Sequence, residues 1–219
     1  MANKREGPHK VIVLLVAPLL IAVAVVSSFH VASADEGESK IEGLFETVKK
    51  GNPEKVKPLL DSGADVDSKD SLGITPLIWA SGNGHKEVVK LLLEKGANVN
   101  ATMDKSGVTA LMAASYQGHN GIAEILVNNG SDVNATDSTG ETALMRAGVK
   151  GNTALARLLL DSGADINAAS AVTGITALIA AAGSGKPPVV KLLLARGADV
   201  DAKAKNGETA TLVATKLGF

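Results

Sequence analysis

Residues 73–101 read GITPLIWASGNGHKEVVKLLLEKGANVNA, and nearly the same phrase returns three times. Residues 107–135 read GVTALMAASYQGHNGIAEILVNNGSDVNA, residues 140–168 GETALMRAGVKGNTALARLLLDSGADINA, and residues 174–202 GITALIAAAGSGKPPVVKLLLARGADVDA. Gly63, Gly96, Gly130, Gly163 and Gly197 mark the same point in successive units, at intervals of 33, 34, 33 and 34 residues. Self-similarity at that period predicts stacked supersecondary units, each unable to bury its apolar side alone. Such solenoids offer extended surfaces in place of enclosed pockets.

Each word of the phrase has a physical use. Thr75, Thr109, Thr142, Thr176 and Thr209 stand where a side-chain oxygen N-caps a first short helix. Pro76 follows at the first helical position, where a missing N–H costs nothing. Small residues such as Ala80-Ser81, Ala113-Ala114 and Ala180 to Ala182 let neighbouring helices approach. A second helix carries the apolar ridge, Val88, Val89 and Leu91 to Leu93 in one unit and Val189, Val190 and Leu192 to Leu194 in another. Apolar over so much of its girth, it must be covered on more than one side. The Gly63-type glycines supply the left-handed residue that ends it, and Val99, Val133, Ile166 and Val200 anchor the following turn. Helices this short are marginal alone, so stacking supplies the stability.

These words together resemble the ankyrin-repeat family over about residues 40–219. The resemblance implies an all-α solenoid of stacked helix-turn-helix units with projecting β-turn loops. On this reading residues 40–72 form an N-terminal partial repeat or cap. Residues 73–106, 107–139, 140–173 and 174–206 are full repeats, and 207–219 a half-repeat cap. Departures from the family pattern carry expectations of their own. Ile78, Met112, Met145 and Ile179 replace a histidine that links adjacent turns, so apolar packing must serve there. Pro58 falls inside a helix and is expected to kink it or loosen the first unit, whereas Pro187-Pro188 fall in a first turn. Met103 and a residue near Ser170 are single insertions in two turns, and Thr211 replaces a leucine in the cap.

The N-terminal segment has a different character. Lys4, Arg5 and Lys10 precede a charge-free run of 16 residues, Val11 to Val26, and Ala32-Ser33-Ala34 then leads into Asp35-Glu36. That is the pattern of a signal peptide cleaved after Ala34, with residues 35–39 as a short solvated leader. The alternative is a membrane-anchored organiser that keeps residues 11–26 as a transmembrane anchor, although a lone span needs about 20 apolar residues. Export without cysteine fits a bacterial periplasm best, with secretion or inner-membrane anchoring as alternatives.

Composition excludes several function classes. The chain of 219 residues has no cysteine, which removes thiol catalysis, cysteine metal sites and disulfides. Net charge is −1 with 22 basic and 23 acidic residues, so total charge gives no tendency toward nucleic acid. Asp65, Asp132, Asp165 and Asp199 tempt as paired carboxylates, but their repetition assigns each to its own turn. His85 and His119 likewise belong to the repeat and make a poor metal site without converging ligands. Gly183-Ser184-Gly185-Lys186 lacks the glycine and hydroxyl that a phosphate loop needs, since Ala180 and Pro187 occupy those places. No serine sits in a GxSxG elbow. Asn100, Asn129 and Asn134 begin glycosylation sequons that the repeat wording itself generates. The reading is therefore non-enzymatic, with no cofactor and a protein partner.

The resemblance places partner binding on a concave face, at turn tips and the exposed side of first helices. The matching candidates are Leu72, Ile74, Trp79, Val108, Tyr116, Gln117, Glu141, Arg146, Lys150 and Ile175. Leu72, Ile74 and Val108, with Trp79 and Tyr116 beside them, are expected to form an exposed apolar strip, the usual mark of an interaction site. The one-helix C-terminus leaves the Leu192–Leu194 ridge to be covered by Phe219 or, through weak self-association, by a second copy.

Overall fold

A computed structural model describes residues 36–218, and eleven helices lie among them. They are α1 (Glu36–Lys49), α2 (Pro53–Asp61), α3 (Pro76–Gly82), α4 (Lys86–Glu94), α5 (Ala110–Gln117) and α6 (Asn120–Asn128). Then follow α7 (Ala143–Lys150), α8 (Thr153–Asp161), α9 (Ala177–Gly183), α10 (Pro187–Ala195) and α11 (Ala210–Leu217). The segment read as a signal peptide, the cleavage point expected after Ala34, and Phe219 lie outside the described residues. Among those residues no helix is long and apolar enough to cross a membrane.

The recurring words act as local instructions. Each of the five threonines accepts a hydrogen bond from the backbone N–H three residues on, at 3.2–3.3 Å, and so starts α3, α5, α7, α9 and α11. The Gly63 series holds φ between 85° and 90° after each second helix, in a region where a Cβ is penalised. Helices of seven to nine residues follow from these starts and stops, so packing must hold them. First helices α1, α3, α5, α7, α9 and α11 stack in order as one layer, and second helices α2, α4, α6, α8 and α10 stack as the other. Leu77, Leu111, Leu144 and Leu178, one per unit, are buried between the layers. Ile78, Met112, Met145 and Ile179 are buried as well, so apolar packing does replace the family's histidine. Thr211, at the leucine position of the last unit, is exposed.

Two expectations are corrected. α1 starts at Glu36, so residues read as a leader continue the first helix. α2 runs unbroken through Pro58, which is exposed, and the Ser62 N–H still reaches the Pro58 carbonyl at 2.9 Å.

Polar ladders fix the register between units. The Asp65 and Asp132 carboxylates each accept the N–H two residues on, and Asp165 and Asp199 do the same. The next side chain of the motif reaches across the units. Asp67, Asn100, Asn134 and Asn167 accept the N–H of Asn98, Asp132, Asp165 and Asp199 at 2.7–2.9 Å. His85 and His119 bond through Nε2 to the carbonyls of Lys49 and Gly82, each in the preceding unit.

Candidate functional site

The first helices and the turn tips form one face, and its rigidity comes from the backbone. The Asp104 N–H donates to Gly73 O, Ser138 to Ser106, Val172 to Thr139 and Lys205 to Thr173, at 2.8–3.2 Å. Each tip is thus fixed to the next. A glycine at the tip is required where the strands of the ladder crowd: Gly140 has φ +78°, and a Cβ there would lie 2.2 Å from Ala171 N.

The expected apolar strip does not form. Ile74, Val108, Trp79 and Arg146 are only 5%, 7%, 8% and 7% exposed. Ile74 and Val108 join the core because the tips lie flat on one another and turn these side chains inward. Leu72 and Val172 are exposed, at 43% and 55%, but sit in turns three units apart. Gln117 and Lys150 are exposed, while Tyr116, Glu141 and Ile175 are half-buried.

Trp79 and Arg146 have structural partners that the sequence reading missed. In the first full unit Asp70 Oδ1 accepts the N–H groups of Leu72 and Ile74 at 2.9 and 3.0 Å, and Oδ2 accepts the Trp79 indole N–H at 2.8 Å. In the third, Asp137 Oδ1 accepts the N–H groups of Thr139 and Glu141 at 2.8 and 3.0 Å, and Oδ2 accepts from the Arg146 guanidinium. Glu141 also lies 3.8 Å from that guanidinium. Burial works to raise the Asp137 pKa, but the Thr139 hydroxyl, the Glu141 and Thr139 N–H groups and the Arg146 charge together hold it below the ordinary value. For Glu141 burial prevails, and its pKa is raised although Arg146 opposes. The nine-residue interval between Asp70 and Trp79, and again between Asp137 and Arg146, is the pattern that could have revealed both pairs.

Cations lie over the rings of this face. Lys49 Nζ is 4.6 Å from the Trp79 ring centre, and Lys150 Nζ is 4.1 Å from that of Tyr116. At the C-terminal end, Leu178, Ala182, Val190, Leu194, Val200 and Ala214 line an open groove of about 350 Å³, with Leu194 45% exposed. No cluster of three or more His, Cys, Asp or Glu suited to a metal occurs among the described residues.

Comparison with known proteins agrees with this geometry. A family model described as ankyrin repeats (3 copies) matches residues 44–137 and 144–219. The chain is 43% identical over 74 residues to rabbit (Oryctolagus cuniculus) ankyrin repeat, SAM and basic leucine zipper domain-containing protein 1, covering 32% of this chain and 16% of that protein. It is 36% identical over 74 residues to Arabidopsis thaliana acyl-CoA-binding domain-containing protein 2, covering 34% of this chain and 21% of that one. The chain thus spans about a fifth or less of the length of these relatives. Ankyrin repeats are protein–protein interaction modules, typically non-enzymatic. With most of its length matched and its units capped, stacked and laddered as described, the chain belongs to the ankyrin-repeat family.

Proposed function

We propose that this chain is an exported, non-enzymatic scaffold that binds a partner protein across its first-helix face and turn tips. The observation that carries this reading is the contrast between a fixed frame and variable exposed positions. The tip ladder repeats in every unit, whereas Leu72 at a tip and Gln117 and Lys150 at the ends of first helices stand exposed and change from unit to unit. Holding such side chains in place beforehand reduces the ordering entropy that association costs. The test is affinity capture from the exported fraction with wild type and with Leu72→Glu/Gln117→Arg. A partner retained by the wild type and lost by the variant at equal melting temperature supports the face. Equal retention by both overturns it.

Export rests on the charge and apolar pattern of residues 1–34 and on nothing in the folded part. A mature N-terminus at Asp35, read by mass spectrometry, supports a periplasmic or secreted protein. Retention of Val11 to Val26 in a membrane fraction favours the anchored organiser instead.

A further inference from the structure

The near-zero net charge conceals a segregation that follows from helix direction. Each second helix starts at the connector after a first helix and ends about 13 Å away, at nine residues and 1.5 Å each. The loops at those far ends carry exposed Asp65, Asp132, Asp165, Asp199 and Asp201. The connectors carry Lys49, Lys86, Lys150 and Lys186, none of which forms an ion pair among the described residues. Of the connector carboxylates, Glu87 is occupied by Lys90, which leaves Glu54 at the N-terminal connector. One edge of the repeat domain is therefore acidic and the opposite edge basic.

Two of these lysines are held in place. Lys49 ends α1 and lies over Trp79 of the next unit, and Lys150 ends α7 and lies over Tyr116 of the preceding one. A cation at a helix C-terminus suits the dipole, but the dipole accounts neither for the stacking across units nor for the missing carboxylate. Between the two rings, α3 carries Gly82 at the position equivalent to Tyr116. The absent side chain leaves a notch, since an added Cβ there would meet only Ala113 Cβ at 3.7 Å.

We propose that this strip docks an extended acidic segment of a partner protein, with carboxylates on Lys49 and Lys150 and the chain crossing the notch at Gly82. The proposal rests on the protein-binding reading above and names the chemistry of the partner. The two rings belong to adjacent first helices, whose axes are about 8–10 Å apart, and Lys49 from α1 and Lys150 from α7 approach them from opposite outer sides, at 4.6 and 4.1 Å from the ring centres. An extended chain advances about 3.3 Å per residue, so the carboxylates stand about five residues apart. Stacking on the rings restricts the rotamers of each lysine, which lowers the cost of ordering it on docking. The acidic edge repels the same segment and orients its approach toward the basic one.

The test is fluorescence anisotropy of the full chain with a short labelled peptide containing one Glu-Ala-Ala-Ala-Ala-Glu element, against its Gln-Ala-Ala-Ala-Ala-Gln counterpart. Two exposed pairs together predict a preference for the glutamate peptide of about five- to tenfold. That preference should disappear in about 0.5 M salt and in Lys49→Gln/Lys150→Gln. Lys191→Gln/Lys203→Gln removes the same two charges at exposed positions away from the strip and should leave the preference intact. Gly82→Glu should weaken the glutamate peptide about fivefold at unchanged melting temperature, while Gly82→Ala should not. Equal affinity for both peptides, or a preference that survives loss of both lysines, overturns the proposal. So does binding to phosphatidylglycerol vesicles that depends on the same lysines and displaces the peptide, which would make the strip a membrane contact. A captured partner that senses Leu72 and Gln117 but neither lysine overturns the acidic segment and leaves the protein-binding reading standing. Peptide binding through the lysines, with no partner sensitive to Leu72 or Gln117, does the reverse.

Discussion

The first full unit sets a neutral indole against its turn carboxylate, Trp79 on Asp70, where the third sets a guanidinium, Arg146 on Asp137, over the same interval. In both, one carboxylate oxygen closes the turn through two backbone N–H groups and the other needs a donor from the first helix. The second and fourth units dispense with the pair. Their turns close one residue later, Met103 N–H to Val108 O and Ser170 N–H to Ile175 O, and each is preceded by an isolated bridge, Thr102 with Thr109 and Ala169 with Thr176. The helix position that faces the turn then holds only Ala113 or Ala180. In these longer turns hydroxyls accept the turn N–H groups, Ser106 from Val108, Ser170 from Thr173 and Thr173 from Ile175, where a shorter turn uses one aspartate. The alternation spans two repeats and is invisible when each unit is compared with its neighbour alone. It also explains why the two residues most typical of binding hot spots are buried here.

Breaking the charged version should have the largest effect. Arg146→Met leaves Asp137 as a buried carboxylate without its cation, and should cost about 3 kcal/mol, read as a lower urea midpoint at neutral pH. The Asp137 pKa is held below its unfolded value of about 3.9. Its contribution is therefore complete above that value and is lost as pH falls through the lower folded one. The gap between wild type and Arg146→Met should accordingly narrow below about pH 4, where the unpaired carboxylate takes up a proton. A gap that stays constant to pH 3 would show that the guanidinium stabilises by packing alone.

The neutral version should break less severely. Trp79→Phe removes the indole donor but keeps the ring, and half-buried Asp70 can turn to water, so about 1–2 kcal/mol is expected from the same denaturation curve. Glu141 tests the other side of the charged unit. Its folded pKa is raised, so its ionised form weakens the fold at pH above the unfolded value of about 4.3 and ceases to do so once protonated. Glu141→Gln should therefore be at least as stable as wild type at pH 7 and converge with it in acid; a loss at pH 7 would assign Arg146 to Glu141 as well as to Asp137. The smallest effect concerns the longer turn of the second unit, where Lys105 has φ +60°. Lys105→Gly should raise stability by about 0.5 kcal/mol, seen as a small rise in melting temperature.

Much of the fold was legible because its instructions are local. Thr75 and its equivalents, the Gly63 series and the Asp65 series each act within a few residues, and each does in the structure what its position implies. The two lengthened turns at Met103 and Ser170 were also readable as insertions. Pro58 was misjudged because a helix exposed on that side tolerates one missing N–H. Which side chains of the first-helix face reach solvent was poorly legible. Of the strip expected there, Leu72 is exposed and Tyr116 half-buried, whereas Ile74, Val108 and Trp79 are buried, as is the separate candidate Arg146.

By itself, then, the sequence determined the period, the starts and stops of the helices, and the local turn served by Asp65, Asp132, Asp165 and Asp199. Hydrogen bonds over two to four residues and the sign of φ at glycine encode those features, and they need no neighbour. Only the tertiary structure decided which non-repeating side chains reach solvent. That depends on contacts between units, such as Lys49 over Trp79 or Lys150 over Tyr116, whose partners lie about one repeat away in the chain. Stacking turned a near-neutral composition into one basic and one acidic edge, because antiparallel helices carry the two ends of each unit to opposite sides.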